Sequence, residues 1–142
     1  MGFADAAFRL AMRGHVSFYR ATGGRFAGKE LLLLTTTGRK TGKLRVNPLR
    51  RIEDGPNYLI AGSVGGAPRH PGWFFNLQDN PHVQVQVGST LENRTARITE
   101  GEERDRLWKR FVEADERFAS YERKTDRMIP VVVLEPNHNS TA

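Results

Sequence analysis

Four consecutive leucines, Leu31 to Leu34, run straight into Thr35-Thr36-Thr37 and then into Gly38-Arg39-Lys40-Thr41-Gly42. An apolar run of strand length that meets a glycine-framed turn predicts an antiparallel hairpin, Glu30–Thr37 against Lys43–Ile52. Gly38 and Gly42 allow positive φ and close backbone approach, so several N–H groups of the turn can face one concavity. Arg39, Lys40, Lys43 and Arg45 surround that concavity, and Thr35, Thr37 and Thr41 add neutral donors. A phosphate or a chain of carboxylates suits such a place. A solvated turn uses the same residue types, so the rest of the chain has to decide.

Other segments extend the pattern. Tyr58–Ser63, the alternation Val83-Gln84-Val85-Gln86-Val87, a polar run from Gly88-Ser89 to near Thr99, and Ile129–Leu134 all read as strands. In the Val83–Val87 strand the valines predict a buried face and the glutamines a wet one. Trp73–Gln78 reads as a short helix closed by Asp79-Asn80-Pro81. Thr99-Glu100-Gly101-Glu102 is a capping-box pattern that opens a helix with Leu107, Trp108, Phe111 and Val112 on its apolar face. A further helical piece covers Glu116 to Lys124. About six strands with hairpin connections and no βαβ alternation predict an α+β, mainly β, fold. Its antiparallel sheet closes into a barrel with helices packed outside. Residues 1–142 are expected to form a single domain, with a flexible tail over 137–142.

Charge narrows the partners. The chain carries a formal +6 and a sequence pI of about 10.2. Nucleic acid, an anionic membrane surface or an anionic small molecule could each exploit this. The cations are dispersed and not interleaved with aromatics, so no nucleic acid is expected, and most arginines read as solvated surface. Phe3–Tyr19 reads as an amphipathic helix, with Phe3, Ala7, Leu10, Gly14 and Phe18 on one stripe and Arg9, Arg13, Ser17 and Arg20 on another. It would cover the edge of the core or, through residues 3–20, lie on anionic lipid. No apolar run is long enough to span a bilayer, and no signal peptide is found, so the expected location is cytoplasmic with or without that peripheral contact.

Several chemistries are excluded. With no cysteine there are no disulfides, thiolate metal sites or thiol nucleophiles. His15, His70, His82 and His138 lack metal-ligand spacing, so no metal is expected, and each reads as a surface or loop residue. P-loop, Gly-x-Gly-x-x-Gly and nucleophile-elbow patterns are all missing.

A second constellation lies at Gly65-Gly66-Ala67-Pro68-Arg69-His70-Pro71-Gly72-Trp73-Phe74-Phe75-Asn76-Leu77-Gln78-Asp79-Asn80-Pro81. Glycines and prolines shape an irregular backbone, and three aromatics then arrive together. Such rings are commonly core, yet Trp73 offers a flat apolar surface and an N–H donor that a fused-ring ligand could use. With Thr35 to Leu49 and the ending Arg123 to Leu134, this segment resembles the deazaflavin-dependent nitroreductase and quinone reductase family. The resemblance runs from about Gly23 to Pro136.

That family has a split β-barrel fold and uses coenzyme F-420. The resemblance implies that Arg39, Lys40, Thr41 and Arg45 hold the cofactor's phosphate and oligoglutamate tail. Val46, Asn47, Pro48 and Leu49 would continue the cofactor site along the next strand. Ala61, Gly62, Ser63 and Val64 would lie along the deazaflavin ring, with Trp73, Phe74, Phe75 and Asn76 completing its pocket. Ser63 would hydrogen-bond the acceptor or help deliver the proton, and Phe118 and Tyr121 would gate the substrate. The implied activity is hydride transfer from the reduced deazaflavin to a quinone or nitroaromatic acceptor. Phe118 lacks the hydroxyl that some members show, and Asp115 stands where an aromatic can occur. FMN, with its shorter phosphate tail, is the alternative cofactor, and a non-catalytic F-420 carrier is the alternative function.

Overall fold

The computed structural model describes residues 30–137. The helix expected over Phe3–Tyr19 and most of the expected tail, residues 138–142, lie outside the described residues. Seven strands appear: β1 (Leu31–Thr37), β2 (Leu44–Arg50), β3 (Ile52–Asp54), β4 (Asn57–Ala61), β5 (His82–Val87), β6 (Thr90–Ile98) and β7 (Val131–Pro136). They form one antiparallel sheet in the order β2-β1-β5-β6-β7-β4-β3. The opposite edges of that sheet, β2 and β3, are separated along the chain by Arg51 alone. A flat sheet cannot meet that condition, so the sheet curls until its edges approach, producing the half-closed barrel.

The seventh strand arises because Lys43–Ile52 is not one strand. Its first part pairs with β1 from Thr37↔Leu44 to Leu31↔Arg50, and its second pairs with β4 through Ile52↔Leu59. Arg51 marks the change of partner. Its N–H donates to the Glu30 carbonyl at 2.6 Å, and its guanidinium reaches the Leu31 carbonyl.

The sheet buries both faces. Leu32, Leu34, Ile60, Val85, Val132 and Leu134 pack with Trp73, Phe74 and Leu77 of α1 (Gly72–Asp79). On the other side, Leu59, Val131 and Val133 meet Leu107, Trp108 and Phe111 of α2 (Gly101–Ala114) and Phe118 of α3 (Arg117–Lys124). Successive β7 residues therefore feed opposite cores, which explains an apolar run without alternation. Each large side chain so buried contributes roughly 1.5–3 kcal/mol of transfer free energy.

Three local expectations change. The capping box does not form: the Thr99 hydroxyl donates to the Val131 carbonyl at 2.8 Å, and Glu100 is the N-cap without a side-chain cap. Gln86, expected on a wet face, is buried in the interior strand β5, where its amide donates to the Gly88 carbonyl at 2.7 Å. Not all arginines are surface either. Arg94 and Arg104 are buried: Arg94 of β6 donates to the Leu134 carbonyl within β7, and Arg104 of α2 to the Ile129 carbonyl just before it.

Candidate functional site

The β1–β2 hairpin closes as its sequence predicts. Gly38 N–H donates to the Lys43 carbonyl at 2.7 Å, Gly42 N–H to the Gly38 carbonyl at 2.8 Å, and Lys43 N–H to the Thr41 hydroxyl at 3.2 Å. Gly42 occupies the left-handed region with φ of 72°. Gly38 does not; a Cβ there would lie 2.9 Å from the Lys43 carbonyl oxygen, so close approach is what requires glycine. Arg39 N–H is also engaged, donating to Asn76 Oδ1 at 3.1 Å. Of the turn's N–H groups from Gly38 to Lys43, only those of Lys40 and Thr41 have no partner among the described residues. The expected concavity of many backbone donors is therefore reduced to two. The donors that this turn still offers an anion are mostly side chains.

Those side chains are free to meet one. Among the described residues no ion pair involves Arg39, Lys40, Lys43 or Arg45, and all four are exposed. Elsewhere arginines find carboxylates, as in Arg97 with Glu103 at 2.8 Å and Arg110 with Asp54 at 2.7 Å. Four unneutralised cations on one hairpin focus positive potential at this end of the molecule. The Arg39 guanidinium lies 4.8 Å from the Phe75 ring centroid, which steadies its stem.

Asn76 joins the two distant segments. While its carbonyl accepts from Arg39, its amide donates to the buried Thr36 hydroxyl at 3.1 Å. Helix α1 thus seats against the hairpin, and a cleft of about 610 Å³ opens between them, lined by Arg39, Lys40, Thr41, Arg45, Val46 and Asn47 with Trp73 and Asn76. A second cavity of about 460 Å³ adjoins it, with Asn47, Gly72 and Trp73 lining both. Pro48, Leu49, Ala61, Gly62, Ser63 and Val64 line the second, together with Phe118 and Tyr121. The structure thus brings the sequence-predicted residues into one continuous cleft, with two exceptions. Phe74 is core, and Phe75 supports Arg39; neither lines either cavity.

After β4 the backbone turns sharply. Ser63 is right-handed at φ −77°, whereas Val64, Gly65 and Gly66 have φ of 45°, 60° and 87°. For a β-branched residue such as Val64 this is a true outlier, a strain on the order of 1–3 kcal/mol. Gly66 cannot carry a Cβ, which would meet the Tyr121 carbonyl oxygen at 2.9 Å. The Ser63 hydroxyl has no partner among the described residues and lies on the cavity wall.

Phe118 packs into the core against Trp108 and Phe111, and its edge meets Tyr121 with centroids 5.5 Å apart. Beside them stands an ionic chain that sequence reading missed: Glu30 to Arg50 at 2.8 Å, Arg50 to Asp115 at 3.5 Å, and Asp115 to Arg117 at 2.6 Å. Hydrogen bonds from the Arg117 side chain and backbone hold the Asp115 carboxyl at about 2, well below its ordinary range. The adjacency of Asp115 and Arg117 is local, but nothing in sequence reports that Arg50 comes near them. Arg127 and His70 were likewise missed. Arg127 Nη1 lies 2.9 Å from His70 Nδ1, and burial, then the Arg127 charge, lowers the His70 pKa. His70 also packs 4.8 Å from the Phe74 ring, so it is not a bare surface histidine.

With that geometry in view, comparison with known proteins is specific. A family model described as F420H(2)-dependent quinone reductase matches residues 11–136. The F420H(2)-dependent quinone reductase Rv1261c of Mycobacterium tuberculosis is 41% identical over 131 residues, spanning 87% of this chain and 88% of its own. Among solved structures, the F420-H2 dependent reductase FDR-A is 49% identical with a TM-score of 0.70, over 75% of this chain and 95% of its own. A chain described as a domain-swapped dimer is 43% identical with a TM-score of 0.72, over 90% of this chain and 96% of its own.

Proposed function

The chain belongs to the F420H(2)-dependent quinone reductase family, and from that premise we propose that its cleft holds reduced coenzyme F-420 beside a quinone and directs hydride from one to the other. The observation that carries this is the polarity of the cleft: unneutralised cations at one end, apolar lining from Pro48 and the little of Trp73 that its core packing leaves accessible in the middle, and the Ser63 hydroxyl at the other. A long anionic tail attached to a flat ring has that same order of chemistry, so the donor set fits the cofactor. When bound, the reduced deazaflavin ring supplies the hydride.

The chain's own residues have three tasks. Arg39, Lys40 and Arg45, with Thr41, grip the tail, where guanidinium forks can engage oxyanions at two points. Trp73, Pro48 and the Ala61–Val64 backbone orient the ring plane. Ser63 donates a hydrogen bond to the acceptor oxygen, which gains electron density as it is reduced, and Phe118 and Tyr121 stack on the acceptor from the opposite wall. Leu31 and Leu49 make part of this cavity apolar, suiting a quinone ring.

A nitroaromatic acceptor and a peripheral membrane contact through residues 3–20 form the finer part of the proposal. The first is supported by aromatic stacking, without a hydroxyl on Phe118; the second by the basic and apolar stripes of Phe3–Tyr19. The test is anaerobic: reduced F-420 is mixed with menadione, a nitroaromatic, or no acceptor, and the return of the oxidised-ring absorbance is followed. Oxidation that needs the acceptor supports the reading; tight binding without oxidation overturns it. Co-sedimentation with anionic vesicles, lost on deleting residues 3–20, tests the membrane contact.

A further inference from the structure

The turn after β4, which lines the second cavity, is held from behind its wall by a residue that is not itself a lining residue of either cavity. Arg127 lies in the segment between α3 and β7. Its Nη2 donates to the Ser63 carbonyl at 2.9 Å, its Nε to the Ala67 carbonyl at 2.9 Å, and its Nη1 meets His70 Nδ1 at 2.9 Å. All three guanidinium nitrogens are thus committed to one loop, Ser63 to His70. A rigid planar fork can do this at once; a lysine ammonium on a flexible stem cannot reproduce three separated contacts.

What Arg127 holds is strained. Val64 has φ of 45° and is 51% exposed, so no packing over its side chain fixes it there. The only internal bonds across the turn are Gly66 N–H to the Ser63 carbonyl at 2.9 Å and Ala67 N–H to the Val64 carbonyl at 3.0 Å. Such a conformation persists only where its surroundings over-determine it. The carbonyls that bracket Val64, those of Ser63 and Ala67, are the ones Arg127 grips.

We infer that Arg127 is the positioning residue for the ring end of the cleft, clamping the left-handed Val64–Gly66 turn so that Ser63 and the neighbouring backbone are set before any ligand arrives. This rests on the assignment of the cleft to a deazaflavin ring. The clamp grips the ring end directly, whereas the hairpin cations lie on another loop held by Asn76.

The experiment uses the full chain and two probes: oxidised F-420, and the deazaflavin nucleoside that has the ring but neither phosphate nor glutamates. Calorimetric affinities, melting temperatures and amide hydrogen exchange are measured for wild type, R127K, R127M, V64G and the V64G/R127M double variant. R127M and R127K are expected to weaken both probes by a similar factor, about tenfold, since loss of the charge-assisted bonds to the loop is felt by the ring in each. Exchange at the Gly66 and Ala67 amides should quicken in the unliganded variants while the core strands stay protected. Glycine adopts positive φ without strain, so in V64G the turn has less need of the clamp. Adding R127M to V64G should therefore cost less affinity than adding it to wild type. Folded R127K or R127M with unchanged affinity for the nucleoside overturns the inference, as does a double variant whose losses multiply. Wild type that takes up neither probe sinks the assignment of the cleft, and the clamp's purpose with it.

Discussion

At the hairpin end of the cleft, Arg39, Lys40, Lys43 and Arg45 stand without carboxylate partners, whereas at the other end Arg50, Arg117 and Arg127 are all engaged by the protein itself. The same residue type does opposite work in the two places. In the hairpin, charge is left unsatisfied by the described protein, and the proposed reading assigns it to the cofactor's tail. Around the Ser63 turn and α3, charge is used internally, on backbone carbonyls, His70 and carboxylates. On that reading one end recognises by net potential, the other by preorganised shape.

The largest effect that separates them is removal of the hairpin charges. The triple variant R39A/K40A/R45A should weaken F-420 by about a thousandfold, at roughly tenfold or more per charge-assisted contact. Its affinity for the deazaflavin nucleoside and its melting temperature should hardly move, because all three side chains are exposed. Equal loss for both ligands in calorimetry would erase the distinction between the ends.

Next comes the joint between the two segments. Asn76→Leu leaves the buried Thr36 hydroxyl and the Arg39 N–H without their partner. Denaturant unfolding should report a loss of about 1–3 kcal/mol, with weaker F-420 binding because α1 and the hairpin are no longer in register.

At the acceptor wall, Asp115→Ala frees Arg117 from its carboxylate and leaves Arg50 with Glu30 alone. A sulfonated quinone should then show a KM about three- to tenfold lower, while that for menadione changes little. If both respond alike, the ionic chain is merely structural.

The smallest effect is in pH. The folded protein holds the His70 pKa below the ordinary 6.5, by burial first and Arg127 second. The native state therefore binds fewer protons at this site than the unfolded chain. Its contribution to stability is complete above about 6.5 and declines as pH falls from there toward the lowered folded value. His70→Gln should flatten the dependence of melting temperature on pH across that window.

Much of the fold was legible because it is local. The hairpin followed from Leu31–Leu34 and the glycine-framed turn, and α1 from the aromatic cluster before Asp79-Asn80-Pro81. The partner change at Arg51 was not legible, since a one-residue break between strands leaves no periodicity change in so short a run. Thr99 offered a plausible cap, yet a carbonyl on β7, remote in sequence, took its hydroxyl. Phe74 and Phe75 shared with Trp73 a reading as pocket wall; the structure puts Trp73 and Phe74 both in the core, with Trp73 alone of the two also reaching the cavities, and Phe75 against Arg39.

Residue identity alone determined that this chain carries a cation-rich, glycine-framed turn, an aromatic cluster in a short helical segment, and no thiol; these are properties of side chains and nearest neighbours. Tertiary structure decided which donors remain available: it engages Arg39 N–H with Asn76, brings Asp115 onto Arg50, and sets Arg127 against the Ser63 carbonyl beside a strained Val64. The physical reason is that a group's chemistry depends on what faces it, and those partners lie 37, 65 and 64 positions away along the chain.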